Sequence, residues 1–171
     1  MQDDKTRKYA IIKLNPDLTL NYTKYYTTSG GSNIGLTNLW FSPSNNNELF
    51  TGGWYKSNNI DTNLHGIIAK VNKNTGKLDI LKILNNVGRI FIAADNINLY
   101  GVTEGDILKI DLNSLNLVAA KQINNYEFNN IVQNTNYIAT YRYNNSYGVV
   151  IIKKDLSNSI NINTNDYHNQ V

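Results

Sequence analysis

The sequence predicts an all-β chain made of repeated four-stranded antiparallel sheets, and three observations predict it. One hairpin element recurs four times, and successive copies lie roughly forty residues or more apart. The best helical candidate, Leu78 to Val87, is interrupted by Asn85-Asn86 and reads better as an outer strand and loop.

The recurring element is Ile11-Ile12-Lys13-Leu14-Asn15, Ile68-Ala69-Lys70-Val71-Asn72, Ile107-Leu108-Lys109-Ile110-Asp111 and Ile151-Ile152-Lys153-Lys154-Asp155. Each copy is a short, largely β-branched run that ends in Asn or Asp and enters a polar turn. The turns are Pro16-Asp17, Lys73-Asn74-Thr75-Gly76, Asn113-Ser114 and Ser157-Asn158, and a second apolar strand follows each one. Two such runs around an Asn/Asp/Gly/Ser turn are the signature of a β-hairpin.

Lys13, Lys70, Lys109 and Lys153 are 57, 39 and 44 residues apart. The last two intervals match the ~40–45 residues of a four-stranded propeller blade, and the first is a blade with a long loop. Room for two more strands lies before each later hairpin. The sequence supplies them at Leu36 to Phe41 and Leu49 to Tyr55, at Arg89 to Ala94 and Leu99 to Thr103, and at Asn130 to Gln133 and Tyr137 to Tyr143. The predicted fold is therefore one β-propeller-like domain over residues 1–171. It has a half-blade at 9–27, full blades at 34–84, 88–123 and 127–163, and a polar tail at 164–171. A β-sandwich or Greek-key barrel also has short, evenly spaced strands, but does not require its hairpins to look alike. Propellers close with roughly 4–8 blades. Three and a half blades imply a larger or oligomeric propeller, completed by another subunit or by further blades.

Composition narrows the function. The chain has 171 residues and no Cys, with 16 Lys+Arg against 13 Asp+Glu for a formal charge of +3. That charge is too small and scattered for the basic stripe that binds nucleic-acid phosphates. No thiolate chemistry is available, no cofactor is called for, and no window reaches the ~18 apolar residues of a membrane span. The start, Met1 to Lys8, has no apolar segment behind it, so no secretory signal is expected. Asparagine is in excess, at 31 residues, beside 20 Ile and only three Arg, which reads as AT-rich codon usage.

From Tyr9 to Leu84 the chain resembles the bacterial and prophage β-propeller repeats, in which a hydrophobic-hydrophobic-Lys hairpin precedes a Gly-Gly loop and a Gly-Gly-aromatic strand. The matching residues are Ile11-Ile12-Lys13-Leu14-Asn15-Pro16-Asp17, Ser29-Gly30-Gly31-Ser32 and Leu49-Phe50-Thr51-Gly52-Gly53-Trp54. Ser57 to Gly66 is similar to the family's Asn/Asp-rich loop. The third and fourth units lack the glycine-rich loops, and the aspartate before the hairpin survives only as Asp106. The resemblance implies a surface module or part of a phage-tail-like assembly, serving adhesion or scaffolding more than catalysis. The implied location is a virion or cell surface, with the cytoplasm left open by the missing signal.

Catalytic signals are thin. The two histidines, His65 and His168, stand beside no G-x-S-x-G elbow, and a hairpin turn accounts for Gly76-Lys77. Asn59, Asp61, Asn63 and His65 place oxygen or imidazole ligands at alternate positions, as a cation loop does, but with one carboxylate and no distal Glu. Side chains satisfying local turns explain the same pattern. Aromatic clusters at Tyr22, Tyr25 and Tyr26, at Trp40, Trp54 and Tyr55, and at Tyr141, Tyr143 and Tyr147 offer stacking surfaces for a sugar ring or a protein. Tyr26, Trp54, Tyr55 and Tyr147 are the candidate contacts among them. The expected function is a non-enzymatic interaction module with a glycan or protein partner. The alternatives are a structural subunit completing a ring, or a propeller-type lyase or glycosidase.

Overall fold

The computed structural model describes residues 9–26, 33–57, 63–123, 127–142 and 147–163, and these hold fourteen strands and no helix. Sheet I is the hairpin β1 (Tyr9–Leu14) and β2 (Leu20–Tyr26). Sheet II comprises β3 (Asn33–Phe41), β4 (Glu48–Lys56), β5 (His65–Asn72) and β6 (Leu78–Leu84). Sheet III comprises β7 (Phe91–Ala94), β8 (Asn98–Val102), β9 (Asp106–Asp111) and β10 (Leu117–Gln122). Sheet IV comprises β11 (Phe128–Gln133), β12 (Tyr137–Arg142), β13 (Gly148–Lys153) and β14 (Ser159–Asn163). Sheets II to IV are antiparallel meanders whose neighbours follow chain order, so no Greek-key crossover occurs within them, and no sheet is closed on itself.

Side-chain chemistry sets the turns. Asp17, Asn72, Asp95, Asp111, Asn134 and Asp155 each accept backbone N–H groups two or three residues ahead, which folds the chain locally without a sheet partner. The turn between the last two strands of each sheet also contains one left-handed residue: Leu18, Gly76, Leu115 and Leu156, with φ of 66°, 65°, 55° and 63°. Glycine adopts this region freely, whereas leucine loses about 1 kcal/mol or more. Leu115 and Leu156 recover that loss by being buried in the cores between sheets.

Strand alternation builds those cores. On the third strand, Ile68 joins Phe50 in facing sheet III, where Ile92, Leu99, Leu108 and Ile110 meet them. Its neighbour Ala69 points the other way, packing with Leu49 and Val71 under Ile11 of sheet I. Sheet III repeats the pattern. Ile107, Ala93, Tyr100 and Val102 meet Phe128, Ile131, Ile138, Val150 and Ile152 of sheet IV. A strand covered on both faces reads as a continuous apolar run, which is why the recurring element lacks polar alternation.

The first strands bind the sheets together. β7 lies against β3 on one side and β11 on the other, with the edge of its backbone turned away from β8. Asn38 answers that edge like a strand. Its amide Nδ2 donates to Ile92 O at 2.7 Å and its Oδ1 accepts from Ile92 N at 3.0 Å. Thr37 donates to Ile90 O, and both Trp40 Nε1 and Gln133 Nε2 donate to Ala94 O. Ile90 N donates to Gly53 O, so β7 begins at Phe91 although the sequence suggested Arg89. Gly52 permits this approach, since a Cβ there would lie 2.6 Å from Ile90 O. Asn38 follows a register shift in β3, and Asn130 lies within a similar one in β11. Thr51 pins the first through Asn38 O, and Thr140 pins the second through Asn130 O.

Asn38→Ala leaves both Ile92 groups without their amide partner and is expected to lower stability by about 2 kcal/mol in urea unfolding. Gly52→Ala, which forces Ile90 away, is expected to lower it by about 1–3 kcal/mol in the same assay.

Candidate functional site

In an antiparallel meander the first and third turns leave one edge of the sheet and the second leaves the other. The two edges differ chemically here. The edge of first and third turns is held by Asn and Asp side chains, while the second connection carries aromatic rings in sheets II and IV.

At the first edge, an open polar cleft between sheets III and IV is lined by Pro43, Asp95, Asn96, Ile97, Gln133 and Lys154, among others. Lys154 Nζ pairs with Asp95 Oδ2 at 2.9 Å and sits 5.3 Å from the centroid of the Tyr100 ring. Tyr100 also donates its hydroxyl to Asp95 Oδ2, and Oδ1 accepts from the N–H groups of Ile97 and Asn98. Burial by itself would raise the Asp95 carboxyl. The Lys154 ammonium, the two N–H groups and the Tyr100 hydroxyl outweigh it and hold Asp95 down to about 2. Burial, then the Asp95 charge and hydrogen bond, push the Tyr100 hydroxyl well above its usual value, so it stays neutral. A carboxylate this well supplied with donors is a poor general base, and the cluster acts as a polar rivet between two sheets. The sequence reading did not single it out. Its signal was a break in the repeat, because Lys154 stands where Leu14, Val71 and Ile110 follow the repeated lysine.

At the other edge, ring pairs flank the second connection. Tyr55 at the end of β4 and His65 at the start of β5 are directly paired in register, their centroids 6.4 Å apart at 41°. Tyr141 in β12 and Tyr147, just before β13, stack at 6.3 Å and 30°, and both rings are substantially exposed. Sheet III has a tight turn there instead, in which Thr103 and Asp106 close on Glu104 and Gly105.

The other predicted contacts are placed differently. Tyr26 is half-buried and donates its hydroxyl to Gly76 O at 2.7 Å, as Tyr22 does to Lys73 O at 2.9 Å, so both join sheet I to sheet II. Trp54 is half-buried, its indole lying where a Cβ on Gly35 would stand. Of the expected cation loop, Asn59 and Asp61 lie outside the described residues. Asn63 is exposed and His65 belongs to the ring pair with Tyr55. Among the described residues no group of three or more His, Asp or Glu side chains is arranged to hold a metal, and no helix is long and apolar enough to cross a membrane.

No family model matches the chain, and no curated protein matches it.

A folded-state carboxyl near 2, against about 3.9 unfolded, contributes stability in full above about pH 4, and that contribution is lost as pH falls toward about 2. Between about pH 5 and 2 the urea midpoint of the wild type is therefore expected to fall more steeply than that of Asp95→Asn.

Proposed function

We propose that this chain is a non-enzymatic interaction module of the β-propeller kind, its sheets serving as successive blades. Its partner is a glycan or protein held at the edge where the second and third strands of each sheet connect. The observation that carries the reading is the ring pair at the base of that connection in two sheets, Tyr55 with His65 and Tyr141 with Tyr147. Rigid rings with a polar tip give a large contact area at low entropy cost, stacking on a sugar face or a partner side chain while the hydroxyl keeps a hydrogen bond. The blade assignment is supported by the packing of β3, β7 and β11 against one another and by the face-to-face cores between successive sheets. The opposite edge is occupied with its own turns and with the Asp95 and Lys154 pair, which leaves it less to offer a ligand.

Glycan-array screening followed by titration calorimetry tests this reading. Wild type is expected to bind a ligand that Tyr147→Ala and Tyr141→Ala bind about tenfold more weakly or worse, with unchanged circular dichroism. A ligand whose affinity ignores both substitutions, or catalytic turnover of a carbohydrate by the wild type, overturns it.

A further inference from the structure

The repeat makes it possible to ask what each sheet face is built to meet. Ile11, Ile68, Ile107 and Ile151 are equivalent positions on the third strand, and each faces the following sheet. The first three are buried, at 5%, 0% and 0% exposure, whereas Ile151, with no further sheet against it among the described residues, is half-buried. The next position, Ile12, Ala69, Leu108 and Ile152, faces the preceding sheet. Here the last three are buried, at 3%, 4% and 0%, and Ile12 is 61% exposed. The outward faces of sheets IV and I are thus the two complementary halves of an interface that the chain already forms three times internally.

Two further features match across these halves. Opposite the first three isoleucines stand Lys24, Lys82 and Lys121. Lys82 Nζ reaches Asn116 Oδ1, and Lys121 Nζ reaches the carbonyls of Leu156 and Ser157, so the lysine of one sheet caps the last turn of the next. The stem of Lys24 packs against Gly76 in the corresponding turn of sheet II. Opposite Ile151 the residue is Ile160, exposed and apolar. The turn that would receive it in a following sheet I carries Leu18 and leads into Leu20 at the start of β2, both exposed and apolar as well. Leu18 holds the disfavoured left-handed conformation that Leu115 and Leu156 also hold, yet those two are buried under a preceding sheet and Leu18 is 77% exposed.

We propose that copies of this chain associate head to tail, the outward face of sheet IV in one copy covering the outward face of sheet I in the next. Ile151 and Ile160 of the first copy pack on Ile12, Leu18 and Leu20 of the second, reproducing the internal junction with an apolar contact in place of the lysine cap. Such a contact is heterologous, so it repeats from copy to copy and closes into a ring or extends. The inference rests on the face-to-face packing of the sheets and does not require the ring pairs to bind anything.

The test is solution mass by light scattering and sedimentation, up to about 100 μM. Wild type is expected at a multiple of 19.3 kDa. Ile12→Asp and Ile160→Asp alter exposed side chains, so each is expected to keep the wild-type circular dichroism. Each alone is expected to be a monomer, because each lacks one half of the contact. Mixed in equal amounts they are expected to form a dimer, since the intact sheet IV face of one meets the intact sheet I face of the other. A monomeric wild type overturns the proposal, whether its faces stay bare or take further blades or another protein. So does an Ile12→Asp variant that still self-associates, since sheet IV would then pair with itself. Because the chain has no cysteine, Leu18→Cys and Ile160→Cys give an independent reading. A disulfide-linked dimer is expected from their mixture and not from either alone, and a mixture that yields none also overturns the proposal.

Discussion

Everything in this fold depends on how the short strand β7 satisfies its second edge. A four-residue strand paired on one side only would leave backbone groups facing neighbouring sheets, and unpaired buried amides are costly. Side chains act as a surrogate strand: Asn38 takes both Ile92 groups, Thr37 takes Ile90 O, and Trp40 and Gln133 converge on Ala94 O from sheets II and IV. The requirement fixes how close the sheets come. It therefore demands Gly52 beside Ile90, and it explains the register shift that aims Asn38 inward. Apolar packing between the sheets then works at a separation that hydrogen bonding has already set.

That arrangement shows which parts of the fold the sequence reveals. Third strands such as Ile68 to Val71 carry apolar residues on both faces, with Lys70 the one exception there, because a sheet covers each face, and a run of this kind followed by an Asx turn is readable without structure. So are the turns themselves, since Asp111 or Asn72 folds its neighbours through local hydrogen bonds. First strands are harder to read. β7 is four residues long, and its start depends on a contact with Gly53 that lies far away in sequence. The asparagine excess, read as codon bias tolerated in turns, conceals Asn38, which looks like any other Asn although it bridges two sheets.

The candidate contacts divide along the same line. Tyr147 and Tyr55 sit at loop bases where a local reading of strand and loop places them. Tyr26 reads the same way in sequence, yet its hydroxyl is engaged by Gly76, because sheet I lies across the turn of sheet II. The Asp95 and Lys154 pair joins residues 59 apart in sequence. Its one trace in the sequence is a charge, Lys154, at a position that is apolar in the other three repeats.

Similar sheets also raise a problem of order, because repeated units that look alike can pack on the wrong neighbour. Apolar faces of Ile, Leu and Val discriminate weakly, since volume-conserving exchanges among them cost little. The lysine cap recurs, from Lys82 and from Lys121, but the other polar contacts differ from junction to junction. Tyr22 and Tyr26 reach the turn of sheet II, Asn38 and Lys82 join II to III, and Lys121 and Lys154 join III to IV. A sheet placed out of order would bury Lys154 without Asp95, or present Ile92 with no amide opposite it. Each error leaves a buried charge or an unpaired backbone group, a penalty larger than the apolar term can offset. The shared hydrophobic pattern thus makes the sheets stack, and the few polar residues that depart from the repeat decide the order in which they do so.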